Sequence, residues 1–233
     1  MRSFFPSVTF LTHLEKVTQV DWIEFIEGMT QIGQTTTYRG HINNKTVYIE
    51  EYERTQTLAA LRNHEAAPRG TTYAENMNMV LDNIRSFLYD PDVDDIEEIT
   101  FTSTYRPDNA YSHGSALAMD LSGRNFTFSN NSNLPFDREA ALRYANVLGR
   151  YEVKSILFNC QYVRDNVDKK NVFGLKQHEH HFHVDFGVES FSNDTQRFNC
   201  WGSYVPFGAT VEKGERRYRC INHANCTYKN KRK

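Results

Sequence analysis

A chain of 233 residues, 39% hydrophobic and rich in Phe and Tyr, is long enough to bury one sizeable core, or one domain with appendages. No apolar run reaches roughly 18 residues, which excludes a transmembrane helix. The formal charge of −2 conceals an asymmetry: from Arg197 onward nine Lys/Arg stand against two Glu, so an acidic body precedes a basic tail.

That tail is either a solvated end or a segment that meets an anionic surface; nucleic acid is not the expected partner. At the other end, residues 1–11 join Arg2 to a short apolar stretch interrupted by Pro6. Glu15 and Lys16 follow with no small-residue cleavage site, so the segment reads as part of the mature fold and specifies no localisation. Asp21 and Glu24 form a capping pair ahead of Trp22, Ile23, Phe25 and Ile26, which predicts a helix. Asn43-Asn44 between residues 36–41 and 46–51 predicts a hairpin, and residues 64–70, with Pro68 and Gly70, a connector. Thr72 and Glu75 then carry a capping-box signature. Met77, Val80, Leu81, Ile84, Phe87 and Leu88 repeat at helical spacing until Pro91 ends the run.

Strands are expected at residues 99–103, 117–121, 153–158 and 181–184, with a helix from Asp137 to Leu148 closed by Gly149. The order predicts an α+β fold with a mostly antiparallel sheet and flanking helices. Residues 1–70 form an unassigned helix and hairpin region, 71–190 the main domain, and 191–233 a basic Cys-containing extension. Three of the four cysteines, Cys200, Cys220 and Cys226, lie in that extension, with His223 midway between the last two. Disulfides, free thiols and a small structural zinc site are all open for Cys160 and these three.

Chemistry concentrates in two segments. Four of nine histidines fall in His178-Glu179-His180-His181-Phe182-His183, and upstream stands Ser112-His113-Gly114-Ser115-Ala116-Leu117-Ala118-Met119-Asp120. Three protein ligands and an open position make a catalytic zinc site, and neutral imidazole is a strong zinc ligand. The first segment offers a His and an Asp; the second offers a His and a spare His to handle protons. In a strand, His181 and His183 share one face while Phe182 and Val184 face a core. By that alternation His180 points away and reads as a surface residue, and Glu179 falls on the wrong face to act as a base.

These residues resemble the LAS metallopeptidases, a group that includes lysostaphin, D-Ala-D-Ala metallopeptidases and hedgehog signalling domains. The first segment is similar to their Ser-x-His-x-x-Gly-x-Ala-x-Asp pattern and the second to their His-x-His. The fit is closest to penicillin-insensitive murein endopeptidases, whose His-x-x-His-x-His corresponds to His178, His181 and His183. Thr102-Ser103-Thr104-Tyr105-Arg106-Pro107 resembles the Ser-x-Tyr-Arg run of D,D-peptidases and endolysins of this group. The resemblance covers residues 72–186. Ser112 directly precedes His113 and Ala116 stands where the pattern has Gly; neither change removes a ligand.

The resemblance implies one Zn2+ held by His113, Asp120 and His183. It implies His181 as general base, His178 as a substrate-binding or protonating residue, and Arg106 as a stabiliser of the oxyanion or a grip on a substrate carboxylate. The activity implied is hydrolysis of peptidoglycan peptides, at a stem-peptide or cross-link bond that includes a D-amino acid. Such a protein is an endolysin, a virion-borne hydrolase, a carboxypeptidase-like hydrolase or a periplasmic enzyme, with the basic tail as a wall-binding module. The alternative is a non-catalytic zinc-containing binding module of the hedgehog type; a third reading is a zinc peptidase acting on L-peptides.

Overall fold

The computed structural model describes residues 20–33, 36–109, 111–127, 136–175 and 177–187 in full, and the backbone of 210–213, 216–220 and 226–229. Its elements run α1 (Trp22–Glu27), β1 (Thr30–Ile32), β2 (Thr37–Ile42), β3 (Lys45–Glu50), α2 (Thr57–Leu61), α3 (Tyr73–Tyr89), β4 (Glu98–Ser103), β5 (Ala118–Ser122), α4 (Arg138–Leu148), β6 (Ser155–Leu157), α5 (Gln161–Asn166), β7 (Val172–Phe173) and β8 (Phe182–Asp185). Three further strands, β9 (Thr210–Lys213), β10 (Arg216–Cys220) and β11 (Cys226–Lys229), form an antiparallel sheet in which Cys220 stands opposite Cys226. The fold is α+β. No helix among the described residues is long and apolar enough to cross a membrane.

Local chemistry accounts for the boundaries. Asp21 caps α1 by accepting from the backbone N–H groups of Ile23 and Glu24. Asn43 and Asn44 take φ of 48° and 61°, the left-handed pair that a two-residue hairpin needs and that Asn tolerates. At the start of α3 the Thr72 side chain accepts from Glu75 N–H while the Glu75 carboxylate reaches back to Thr72 N–H. This reciprocal cap contributes about 1 kcal/mol. The helix then buries Met77, Val80, Leu81, Ile84, Phe87 and Leu88. Asp137 caps α4 in the manner of Asp21.

The main sheet runs β1-β2-β3-β4-β5-β8-β6-β7, antiparallel except at β3–β4 and β6–β7. The sheet is continuous across residue 70, because β3 pairs with β4. The N-terminal hairpin, unassigned in the sequence, therefore extends the sheet that carries the histidines. One sheet face supplies Val47, Ile49, Ile99, Phe101, Met119, Leu121, Ile156, Phe182 and Val184 to the core, against α3 and α4. Phe126 stacks on Tyr144 at 5.0 Å between ring centroids and meets Phe182 edge-on at 5.2 Å, and Phe158 tilts onto Phe182 at 4.3 Å. This aromatic cluster fixes β8 from below.

The other face is set by register. Met119 and Leu121 point into the core, so Asp120 points away from it. Asp120 pairs directly with His183, and His183 with Leu157, which puts all three side chains in one row. Ser103 joins that row only through a bulge. Phe101 pairs with Leu121, but the next partner of β5 is Ser103, not Thr102, opposite Asp120. One extra residue flips Ser103 onto the Asp120 face.

Candidate metal centre

His113 comes to this face from a short 3-10 turn, Ser112–Ser115, between β4 and β5. The turn closes through Gly114 N–H to Tyr111 O and Leu117 N–H to Ser112 O, both at 2.9 Å. Gly114 is required there: a Cβ would lie 1.6 Å from the carbonyl oxygen of Asn109. Ala116 ends the turn at φ 56°, ψ 33°, a left-handed conformation that glycine adopts at lower cost. His113 Nδ1 lies 2.5 Å from the Thr104 carbonyl. A carbonyl only accepts, so Nδ1 carries the proton and Nε2 keeps its lone pair.

That lone pair meets the row on the sheet. His113 Nε2 is 3.0 Å from His183 Nδ1 and 3.3 Å from Asp120 Oδ1, and His183 Nδ1 is 3.0 Å from the same oxygen. Ligand atoms at the corners of a zinc tetrahedron, roughly 2.0–2.1 Å from the metal, stand about 3.3 Å apart. The donor set and its spacing therefore fit a small divalent ion, and His113, Asp120 and His183, all buried, form a group able to hold one.

Arg106, half-buried at the end of β4, is committed to this group: Nη2 donates to Asp120 Oδ2 at 2.8 Å and Nε to Ser103 Oγ at 2.5 Å. One nitrogen thus steadies a candidate ligand while a second anchors the guanidinium to Ser103, a task that residue type alone does not signal. His181 lies beside the group, with Nε2 3.6 Å from Asp120 Oδ1. The His178 ring stacks obliquely at 4.8 Å from His181 and stands 5.8 Å from His183. All six predicted site residues line one cleft of about 730 Å³, with Asn109, Tyr111, Leu157, Leu175, Gln177 and His180 completing the wall.

His180 is exposed, as expected of a surface residue, but it does not point away from His181: it lines the cleft, with Nδ1 2.6 Å from His181 Nδ1. The strand begins at Phe182, and Gln177, at φ 70°, turns the chain ahead of it, so strand alternation does not govern residues 178–181. Glu179 is absent from the cleft wall, as expected; it is buried and accepts from Asn159 Nδ2 at 3.1 Å. With Asn159 N–H donating to His178 O, this pins the histidine turn to the end of β6. Cys160, the next residue, is disulfide-bonded, which removes the free-thiol reading for it. Cys200 and His223, two of the residues weighed for a structural zinc site, lie outside the described residues.

Electrostatics divide the imidazoles. Burial pushes the His113 pKa below its usual value despite the pull of Asp120, which leaves a neutral ring. Burial also works against the charge on Asp120, but His113 and His183 overrule it and hold the carboxyl well below its usual range. For His183 burial is outweighed by Asp120 and Asp185, and the pKa rises to about 9. His181 is driven down to about 3 by burial, which overcomes the upward pull of Asp120, while His178, His180 and His183 push in the same direction as burial. It is therefore a neutral base with Nε2 facing the candidate ligands.

No protein-family model, curated protein or solved structure matches this chain.

Proposed function

We propose that the chain is a zinc peptidase of the LAS type that hydrolyses peptide bonds of peptidoglycan. The observation that carries the reading is the convergence of His113 Nε2, Asp120 Oδ1 and His183 Nδ1 within 3.3 Å of one another at the floor of an open cleft, with His181 alongside. A zinc ion held there supplies a Lewis acid that polarises a peptide carbonyl and activates water near neutral pH.

His181 then accepts the water proton at Nε2 as the C–O bond forms, and returns it to the departing amine as the C–N bond breaks. Arg106 keeps the Asp120 carboxylate turned towards the two imidazoles through its bond to Oδ2. His178 and His180, on the wall beside His181, meet the substrate. His181 at the edge of the ligand group, its Nε2 3.6 Å from Asp120 Oδ1 in an open cleft, favours turnover over a purely binding role of the hedgehog type. The choice of peptidoglycan follows from the resemblance of the two histidine segments and the Ser-x-Tyr-Arg run to murein endopeptidases.

The test is mass spectrometry of fragments released by the zinc-loaded chain from purified cell walls and from defined muropeptides, with a chelator control. The expected result is zinc-dependent release of fragments cut at a bond that includes a D-amino acid. Cleavage of L-peptides alone would overturn the substrate class. Full zinc occupancy with no cleavage of either would overturn the peptidase.

A further inference from the structure

A buried carboxylate, that of Asp185, lies behind His183. Strand β8 alternates, so Asp185 emerges on the same face as His183, and its cross-strand partners are Ala118 and Ser155. Asp185 is wholly buried. Its Oδ1 accepts the Gly187 N–H at 2.6 Å, which fixes the carboxylate plane. Its Oδ2 has no hydrogen-bond partner among the described residues, and lies 3.7 Å from His183 Nε2. The hydroxyls of Ser112 and Ser155 are also buried without partners among those residues, so neither neutralises it. A buried carboxylate with an unsatisfied oxygen is costly unless a donor or a charge faces it. The group that faces it is the nitrogen of His183 turned away from the ligand atoms, since Nδ1 points to His113 and Asp120.

We infer that Asp185 is the positioning residue for His183, accepting from Nε2–H and so holding the proton on that nitrogen, which leaves the Nδ1 lone pair for a divalent metal ion. The inference rests on the metal-centre reading proposed above. It completes a pattern: the Thr104 carbonyl stands behind His113 Nδ1, Arg106 behind the second oxygen of Asp120, and Asp185 behind His183 Nε2. An oxygen behind an imidazole selects the tautomer and increases the basicity of the ligating nitrogen. Asp185 adds a second negative charge to that of Asp120, which favours a divalent cation over a monovalent one.

The test uses the full chain and the variants Asp185→Asn and His183→Ala, with zinc itself as the probe, titrated against a chromophoric chelator. Asparagine keeps the volume and the acceptor for Gly187, but turns an N–H towards His183 Nε2. That favours the tautomer with its proton on Nδ1, the wrong nitrogen for the metal. The expected result is a zinc affinity lower by about 10–100-fold in Asp185→Asn. Nitrogen-15 imidazole spectra should place the proton of His183 on Nε2 in the unaltered zinc-loaded chain and on Nδ1 in metal-free Asp185→Asn. A merely structural role would lower thermal stability without moving that proton. Unchanged affinity in Asp185→Asn with loss in His183→Ala would overturn the inference and leave the metal centre standing. The spectrum of the unaltered zinc-loaded chain is a test that needs no variant to fold: a proton on Nδ1 of His183 there overturns it as well. Failure of the unaltered chain to bind zinc would remove the metal centre, and this inference with it.

Discussion

His181 touches the metal group without belonging to it, since the three atoms that converge are those of His113, Asp120 and His183. His181→Ala should therefore keep its zinc, measured as bound metal per chain, and lose on the order of 10²–10⁴ in peptide turnover. Loss of zinc in that variant would make His181 a ligand. His183 predicts a pH dependence. Without a metal its pKa stands at about 9, so zinc must displace a proton at neutral pH. Apparent affinity should rise by about tenfold per pH unit from 7 towards 9 and then level, as read by chelator competition. The same sign governs stability of the zinc-free protein. The raised value means that His183 stabilises the fold below its unfolded pKa, and that this contribution is lost as pH rises through about 9. At this scale the three candidate ligands were legible because two of them lie on strands, where alternation selects a face. Asp185 obeys the same alternation two residues beyond His183 and could have been found by it. The Thr104 carbonyl and the placement of His180 were not legible, because a backbone oxygen and a turn leave no mark in residue type.

Short elements aim the site. The turn holding His113 has room for no side chain at Gly114. Gly114→Ala should cost roughly 1–3 kcal/mol in chemical denaturation and weaken zinc binding, because Cβ must push the Asn109 carbonyl aside. A variant as stable and as zinc-competent as the unaltered chain would contradict this picture of the turn. Thr72→Ala is the contrasting case. It removes a cap far along the chain from the ligands, and should cost about 1 kcal/mol with zinc affinity unchanged. Helices α3 and α4 were readable because caps and 3.6-residue periodicity are local signals. The bulge that turns Ser103 towards Arg106 was not, since it exists only in the pairing of β4 with β5. The two-residue strand β7 and helix α5, six residues long, are too short to show a period.

Across the whole molecule the site depends on a sheet assembled from distant segments. β3 joins β4 in parallel across the connector and α3, a pairing that no local pattern announces, so the N-terminal region was legible as elements but not as part of this sheet. One buried anchor on the α3 side is Asp90, which accepts from Tyr151 Oη at 2.8 Å and from Arg150 at 3.0 Å. Burial opposes its charge, but the Asp92 N–H, Tyr151 and Arg150 outweigh it and lower its pKa. The lowered value means that its stabilisation is present above the unfolded pKa, near 4, and is lost as pH falls through the folded value. Asp90→Asn should thus cost roughly 1–3 kcal/mol at pH 7 and progressively less below about pH 4, measured by urea titration. A deficit independent of pH would remove the charge from the explanation. The central claim is that His113, Asp120 and His183 bind one zinc ion, and anomalous scattering at the zinc edge from zinc-loaded crystals of the full chain tests it most directly. The account predicts one peak on this face, roughly 2.0–2.1 Å from His113 Nε2, Asp120 Oδ1 and His183 Nδ1; no peak there, with the three side chains turned apart, would contradict it.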